Sequence, residues 1–159
     1  MILTLRALVT FLSLVLTGAC AGSGPAEDDS LYKALGERRG IAALVDATLD
    51  NIADDSRIVG LFADTDIGRL EAKLEEQLCH ISGGPCRYTG DSMARAHAGL
   101  DLGPAEFNAF VEDLRAAMAQ LEVPRSARNR LLARLAPMRG PVLEGESAQN
   151  PEADANADP

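Results

Sequence analysis

The sequence predicts an all-α domain, and three observations lead to that class. Between Leu31 and Leu143 apolar residues recur at helical spacing, with no stretch alternating as a half-buried strand requires. Gly83-Gly84, Pro104 and Val123-Pro124 punctuate the chain where one periodic stretch gives way to the next. The length of 159 residues and an apolar share of 47% suit one globular domain.

Ile41, Leu44, Val45, Thr48, Leu49 and Ile52 fall on one face of a first long helix, which Asp54-Asp55-Ser56 ends. A second helix spans Asp66 to Ile81, with Leu70, Leu74 and Leu78 four residues apart and Gly83 as its C-terminal stop. Pro104 suits the first position of a third, whose Phe107, Phe110, Val111, Leu114, Met118 and Leu121 make the clearest amphipathic stripe in the protein. Val123-Pro124 ends it, and a last helix carries Leu131, Leu132, Leu135 and Met138, its end bent or frayed by Pro137. Four helices in about 110 residues bury a modest core. Periodicity alone favours stripes that pack on each other as an unliganded bundle.

Both ends read differently. Residues 1–19 hold one early charge at Arg6, an apolar run from Ala7 to Leu16, and Thr17-Gly18-Ala19 before Cys20. This is the pattern of a secretory signal with a bacterial lipobox, its apolar run too short to span a bilayer comfortably. The alternatives are a short uncleaved anchor, or a cleaved signal to which Cys20 is incidental. With processing at the lipobox, Cys20 becomes the lipid-bearing first residue, residues 20–30 a flexible tether, and the protein a lipid-anchored resident of the cell envelope, on the outer membrane or a periplasmic face. Residues 144–159 are acidic and almost devoid of apolar side chains, which predicts a disordered tail. A formal net charge of −9 argues against nucleic acid and against charge-driven binding to anionic lipid.

The run from Cys79 to Leu100, CHISGGPCRYTGDSMARAHAGL, leads through a di-glycine break and an irregular stretch to His97. It resembles the proximal haem-binding segment of group I truncated haemoglobins. The resemblance extends from Leu31 to about Leu143 without a gap, through Leu31-Tyr32, Leu35-Gly36, Gly40-Ile41, Leu61-Phe62, Thr65, Arg69-Leu70, Lys73, Gly83-Gly84-Pro85, Tyr88-Thr89-Gly90, Met93, His97, Gly99, Val123-Pro124 and Ala136-Pro137. It implies a truncated globin: a two-over-two helical sandwich around haem b, with a nearly absent first helix and the proximal helix reduced to a loop and one turn. By the same resemblance His97 is the proximal iron ligand, the usual role of an imidazole. Phe62 stacks on the porphyrin, and Leu70, Lys73, Leu74, Tyr88 and Met93 also meet the cofactor. Haem binds only the folded state and so would stabilise this small domain by mass action.

The distal side departs from the family pattern. Where members often have a tyrosine that donates to the bound gas, this chain has Leu49, and at the positions of the supporting glutamine it has Leu70 and Leu74. The distal wall is therefore expected to be apolar, lowering oxygen affinity by roughly tenfold and carbon monoxide affinity less. Two polar candidates remain, Lys73 and Gln77. In relatives a lysine at the position of Lys73 commonly reaches a haem propionate and in some ligates the iron, although an ammonium must first lose its proton to do so. Gly36-Glu37 stands where the family usually has two glycines, an effect expected to stay within the first turn.

His80 follows Cys79, but Glu76 stands where covalent haem attachment of the C-x-x-C-H type needs a cysteine, so non-covalent haem b is expected and His80 is read as an exposed side chain. Cys79 and Cys86 recur in some family members. They are open to three readings: a disulfide if the protein is exported, two reduced thiols, or a redox pair. Zinc is not indicated, because Cys79, His80 and Cys86 match no usual knuckle spacing.

The function expected is reversible binding of oxygen, carbon monoxide and nitric oxide at haem iron. One alternative is a nitric oxide dioxygenase or weak peroxidase served by an external reductant, since the chain carries no flavin motif; no catalytic residue is assigned. The other is a haemless helical lipoprotein scaffold. Self-association is left open by the sequence.

Overall fold

The computed structural model describes residues 28–145, so the expected signal peptide, Cys20 and nearly all of the tether and tail lie outside the described residues. Within them the chain is helical, with no strand. Helix α1 (Ser30–Ala34) is followed by α2 (Glu37–Asp54), a 3-10 turn at Val59–Phe62, and α3 (Ile67–Ile81). Then come α4 (Met93–Ala96), α5 (Pro104–Gln120), α6 (Arg125–Leu135), a second 3-10 turn at Ala136–Met138, and α7 (Arg139–Glu144). Helix α2 is the centre of the domain, packed on α5 and on α3, while α1 sits on α6 and α4 on α7. None of these helices is long and apolar enough to cross a membrane.

The ends of the helices are set by local chemistry. Asp66 caps α3 by accepting from the Arg69 N–H at 3.0 Å, satisfying one of the orphan donors of the first turn. At the other end Gly83, with φ +84, reverses the chain: its N–H donates to the His80 carbonyl at 3.1 Å and that of Gly84 to the Cys79 carbonyl at 2.8 Å. This is the paired-bond C-cap that favours glycine. A Cβ on Gly84 would lie 2.7 Å from Cys79 Sγ and against the Tyr32 ring, so the second glycine is required by space. Pro104 opens α5, where the Glu106 carboxylate accepts from the Gly103 N–H at 2.9 Å. Pro137 falls in the 3-10 turn that separates α6 from α7, the expected bend.

Gly36 and Glu37 both adopt left-handed backbone, with φ of +86 and +58. Glu37, at a position the family fills with glycine, therefore holds a conformation that costs a residue with a Cβ about 1 kcal/mol. The departure is confined to the α1–α2 turn.

The core joins Leu31, Ile41, Leu44, Leu78, Met118 and Leu131, all buried. One expectation needs correction. The face of α5 that is buried deepest is Ala109, Asp113, Leu114, Ala117 and Met118, whereas Phe107, Phe110 and Val111 are half-buried and Leu121 is 41% exposed. Small alanines occupy the deepest part of this face, and the aromatic edge of the stripe is less deeply buried, with Phe110 still packed against Ile52 of α2. Arg139 of α7 lies over the Phe107 ring, 5.7 Å from its centroid.

Asp113 breaks the apolar pattern of this face. Its Oδ2 is sealed from solvent with no hydrogen-bond partner among the described residues. Burial pushes its pKa up; Asp55 adds to the rise, the Arg57 guanidinium opposes it, and Glu112 adds slightly. The folded state thus holds this proton more tightly than the unfolded chain. The resulting stabilisation is complete below the ordinary aspartate range and is lost as pH climbs through the raised value. Asp113→Asn is expected to raise unfolding stability at pH 7 by about 1 kcal/mol. In denaturant titrations across pH, the gain should shrink toward zero in acid.

Candidate functional site

Most of the site residues that the resemblance names lie on α3, on the short α4 and in the first 3-10 turn, and the space between α3 and α4, spanned by the contact of Gln77 with Met93, is the candidate crevice. Along α3, Leu70, Lys73, Leu74 and Gln77 follow the spacing of one helix face. Leu70, Lys73 and Leu74 are half-buried and Gln77 is 9% exposed. Phe62, at the end of the 3-10 turn, packs with Leu49 and Phe110 against Ile52, Ile58 and Ala109. Leu49, Phe62 and Phe110 all remain half-buried, so each still offers apolar surface.

His97 is the C-cap of α4, half-buried, immediately after four helical residues that Ser92 caps through the Arg95 N–H. Its Nδ1 lies 2.7 Å from the Met93 carbonyl oxygen. A carbonyl only accepts, so Nδ1 carries the proton, and in the neutral ring the lone pair is on Nε2. A backbone bond of this kind fixes both tautomer and ring orientation, which is what a metal-binding imidazole needs. His80 is exposed, its Nδ1 3.2 Å from the Cys86 carbonyl.

Lys73 is committed to neighbours. Its Nζ donates to both oxygens of Glu76, at 3.0 and 2.9 Å, and to Thr89 Oγ1 at 2.6 Å. Glu76 Oε2 in turn accepts from the Thr89 N–H at 3.0 Å and hydroxyl at 2.8 Å. The Lys73 ammonium, then the Thr89 donors, hold the Glu76 carboxyl well below the usual range, at about 2. Glu76 and Thr89 were not singled out as partners of Lys73 from sequence. The i,i+3 spacing of Lys73 and Glu76 was a readable sign of the pair, but Thr89 comes from a loop that no periodicity places.

That loop is tied down elsewhere too. Cys79 and Cys86 form a disulfide with Cα atoms 5.7 Å apart, closing the di-glycine turn. Tyr88 donates its hydroxyl to the Asp91 carbonyl at 2.9 Å, and burial, with Asp91 and Glu76 nearby, pushes its pKa up, so the phenol stays a donor. Met93 meets Gln77, whose Nε2 lies 3.3 Å from the Met93 sulfur and 3.5 Å from that of Met138. Two shallow surface hollows lie away from this crevice, one of about 430 Å³ beside Asp28, His80 and Arg134, the other of about 450 Å³ beside Tyr32, Lys33 and Pro85. Both are open, and neither includes His97, Phe62, Leu70, Lys73, Leu74 or Gln77.

The profile of the bacterial-like globins matches residues 30–144. The chain belongs to that family. A group 1 truncated hemoglobin of Nostoc sp. (strain MUN 8820) is 34% identical over 114 residues, covering 72% of this chain and 97% of the relative. One from Tetrahymena pyriformis is 30% identical over 94 residues, covering 59% of this chain and 78% of that protein. The crystal structure of the Tetrahymena pyriformis truncated hemoglobin in its Fe(III) form superposes with a TM-score of 0.69 at 27% identity, over 71% of this chain and 97% of that one. The two-over-two haemoglobin of Synechococcus sp. PCC 7002, in the cyanomet state with covalently attached heme, is 24% identical with the same TM-score, over 72% and 98% of the two chains, and speaks for the fold. This globin is thus a group 1 truncated haemoglobin in fold and lineage, and haem is the cofactor of its kind. The residues present fit that group: α4 ends on a half-buried imidazole of fixed tautomer, and α3 carries half-buried apolar side chains.

Replacing both cysteines, Cys79→Ser with Cys86→Ser, removes a short loop closure and is expected to lower stability by roughly 2–3 kcal/mol. Denaturation of the oxidised protein beside the double variant measures it.

Proposed function

We propose that the chain holds non-covalent haem b between α3 and α4 with His97 Nε2 on the iron, and reversibly binds oxygen, carbon monoxide or nitric oxide on the opposite face. The hydrogen bond from His97 Nδ1 to the Met93 carbonyl supports this reading most directly, because it leaves Nε2 as the free donor atom. Haem iron supplies the gas-binding chemistry when bound. The residues of the chain orient the imidazole, exclude water and set the polarity around the ligand. In this reading Phe62 lies against the macrocycle, Leu49, Leu70 and Leu74 wall the distal face, and Tyr88 and Met93 contact the cofactor's edge. The bonds from Lys73 to Glu76 and Thr89 favour an ammonium kept at the crevice mouth, within reach of a propionate, over an amine on the iron.

Absorption spectra of the purified domain and a His97→Ala variant, in ferric, ferrous and carbon-monoxide forms, test the assignment. Stoichiometric haem in the parent and loss or shift of its bands in the variant are expected. Absence of haem from both, even after reconstitution, would leave a haemless helical scaffold.

We also propose that the protein is exported and lipid-anchored through Cys20, on the strength of the apolar run and Thr17-Gly18-Ala19-Cys20. Labelling with a radioactive fatty acid in bacterial cells should mark the full chain and not its Cys20→Ala variant.

A further inference from the structure

On α3 Leu70 and Leu74 stand where the family resemblance would place polar side chains, and Lys73 is taken up by Glu76 and Thr89. Four polar side chains are buried among the described residues: Thr48, Gln77, Ser82 and Asp113. The Thr48 hydroxyl is spent on the Leu44 carbonyl at 2.6 Å and that of Ser82 on the Cys79 carbonyl at 3.0 Å. Asp113 lies on α5, on the face turned to the core. Gln77 alone combines burial, a place on the α3 face that carries Leu70 and Leu74, and donors that have found only weak acceptors.

Its amide nitrogen meets the sulfurs of Met93 and Met138 and, among the described residues, no oxygen. A thioether is a poor acceptor, so this buried N–H pair recovers little of its desolvation. Both partners are unbranched, flexible side chains that can repack around an inserted group. Met93 also links α3 to the imidazole, since its carbonyl orients the His97 ring and its sulfur receives the Gln77 amide.

We propose that Gln77 is the hydrogen-bond donor to a polar diatomic ligand on the iron opposite His97, with the two methionine sulfurs as its resting partners. The inference rests on the haem reading above. A donor at this depth, one turn beyond Leu74, favours oxygen, whose bound form carries partial negative charge, and is nearly indifferent to carbon monoxide. It makes the distal side selectively polar although Leu49, Leu70 and Leu74 are not.

The test uses the haem-loaded protein and its Gln77→Leu and Gln77→Met variants. The methionine keeps the length of the side chain should leucine disturb folding. Oxygen dissociation is followed by stopped flow and the carbon-monoxide stretching frequency by infrared spectroscopy. Loss of the donor is expected to speed oxygen release by about tenfold and to raise the stretching frequency, with carbon monoxide release changed by less than about twofold. Unchanged oxygen release and an unchanged stretch in fully haem-loaded variants overturn the proposal alone. A parent protein that takes up no haem overturns it together with the haem reading.

Discussion

The orientation of His97 depends on a stretch of chain that has almost no regular structure of its own. From the end of α3 at Ile81 to the start of α4 at Met93 no helix forms, and α4 itself is four residues long. Such a connection places a ring accurately only if it is fastened at both ends and along its length. The fastening is layered. The Gly83 and Gly84 backbone bonds terminate α3, the Cys79–Cys86 bridge closes the turn, and Glu76 grips both the amide and the hydroxyl of Thr89. Of these the covalent link dominates, because Lys73 and Glu76 are each about one-third exposed and their attraction is screened. The last link is the Met93 carbonyl, which turns a positioned backbone into a positioned imidazole.

The scaffold behind the crevice solves a different problem. Helix α5 must bury enough surface against α2 to hold the domain together, yet leave apolar side chains at the crevice uncovered. It does both by dividing its circumference. Ala109 and Ala117 are fully buried at the contact with α2, where small side chains permit close approach, and Phe110 stays half-buried beside Phe62 and Leu49. Part of the aromatic area is thus left uncovered at the margin of the core. A flat apolar ligand filling that surface adds stability that the helices do not supply to each other.

The helices were legible in the sequence because their signals are local. Asp66 and Gly83 mark the ends of α3, and Pro104 the start of α5, through capping chemistry that depends only on near neighbours. The resemblance around His97 named the candidate site; the structure packs Leu49 with Phe62 and leaves these two, Leu74 and His97 each half-buried. Contacts made across the chain were less readable. Thr89 reaches Lys73 over sixteen positions, and Met138 reaches Gln77 over sixty-one. The division of α5 escaped periodicity because an amphipathic stripe reports where apolar residues lie, while alanine at the tightest contact carries little hydropathic weight. Asp113 was hidden for a related reason: an acid within a helix reads as solvent-facing unless the flanking alanines are recognised as the true inner face.

The Lys73–Glu76–Thr89 triangle bears on how a cofactor with two anionic propionates reaches its site. The Lys73 ammonium is already paired with a carboxylate of its own helix, and the whole chain carries a formal charge of −9. Long-range electrostatics therefore repel the incoming group instead of steering it, and capture falls to apolar contact once the two have met. Added salt, by shortening the screening length to about 8 Å near physiological ionic strength, relieves that repulsion. At the haem site proposed for this globin, uptake is accordingly expected to be an encounter that dissolved ions accelerate, the reverse of a site that attracts its cofactor by charge.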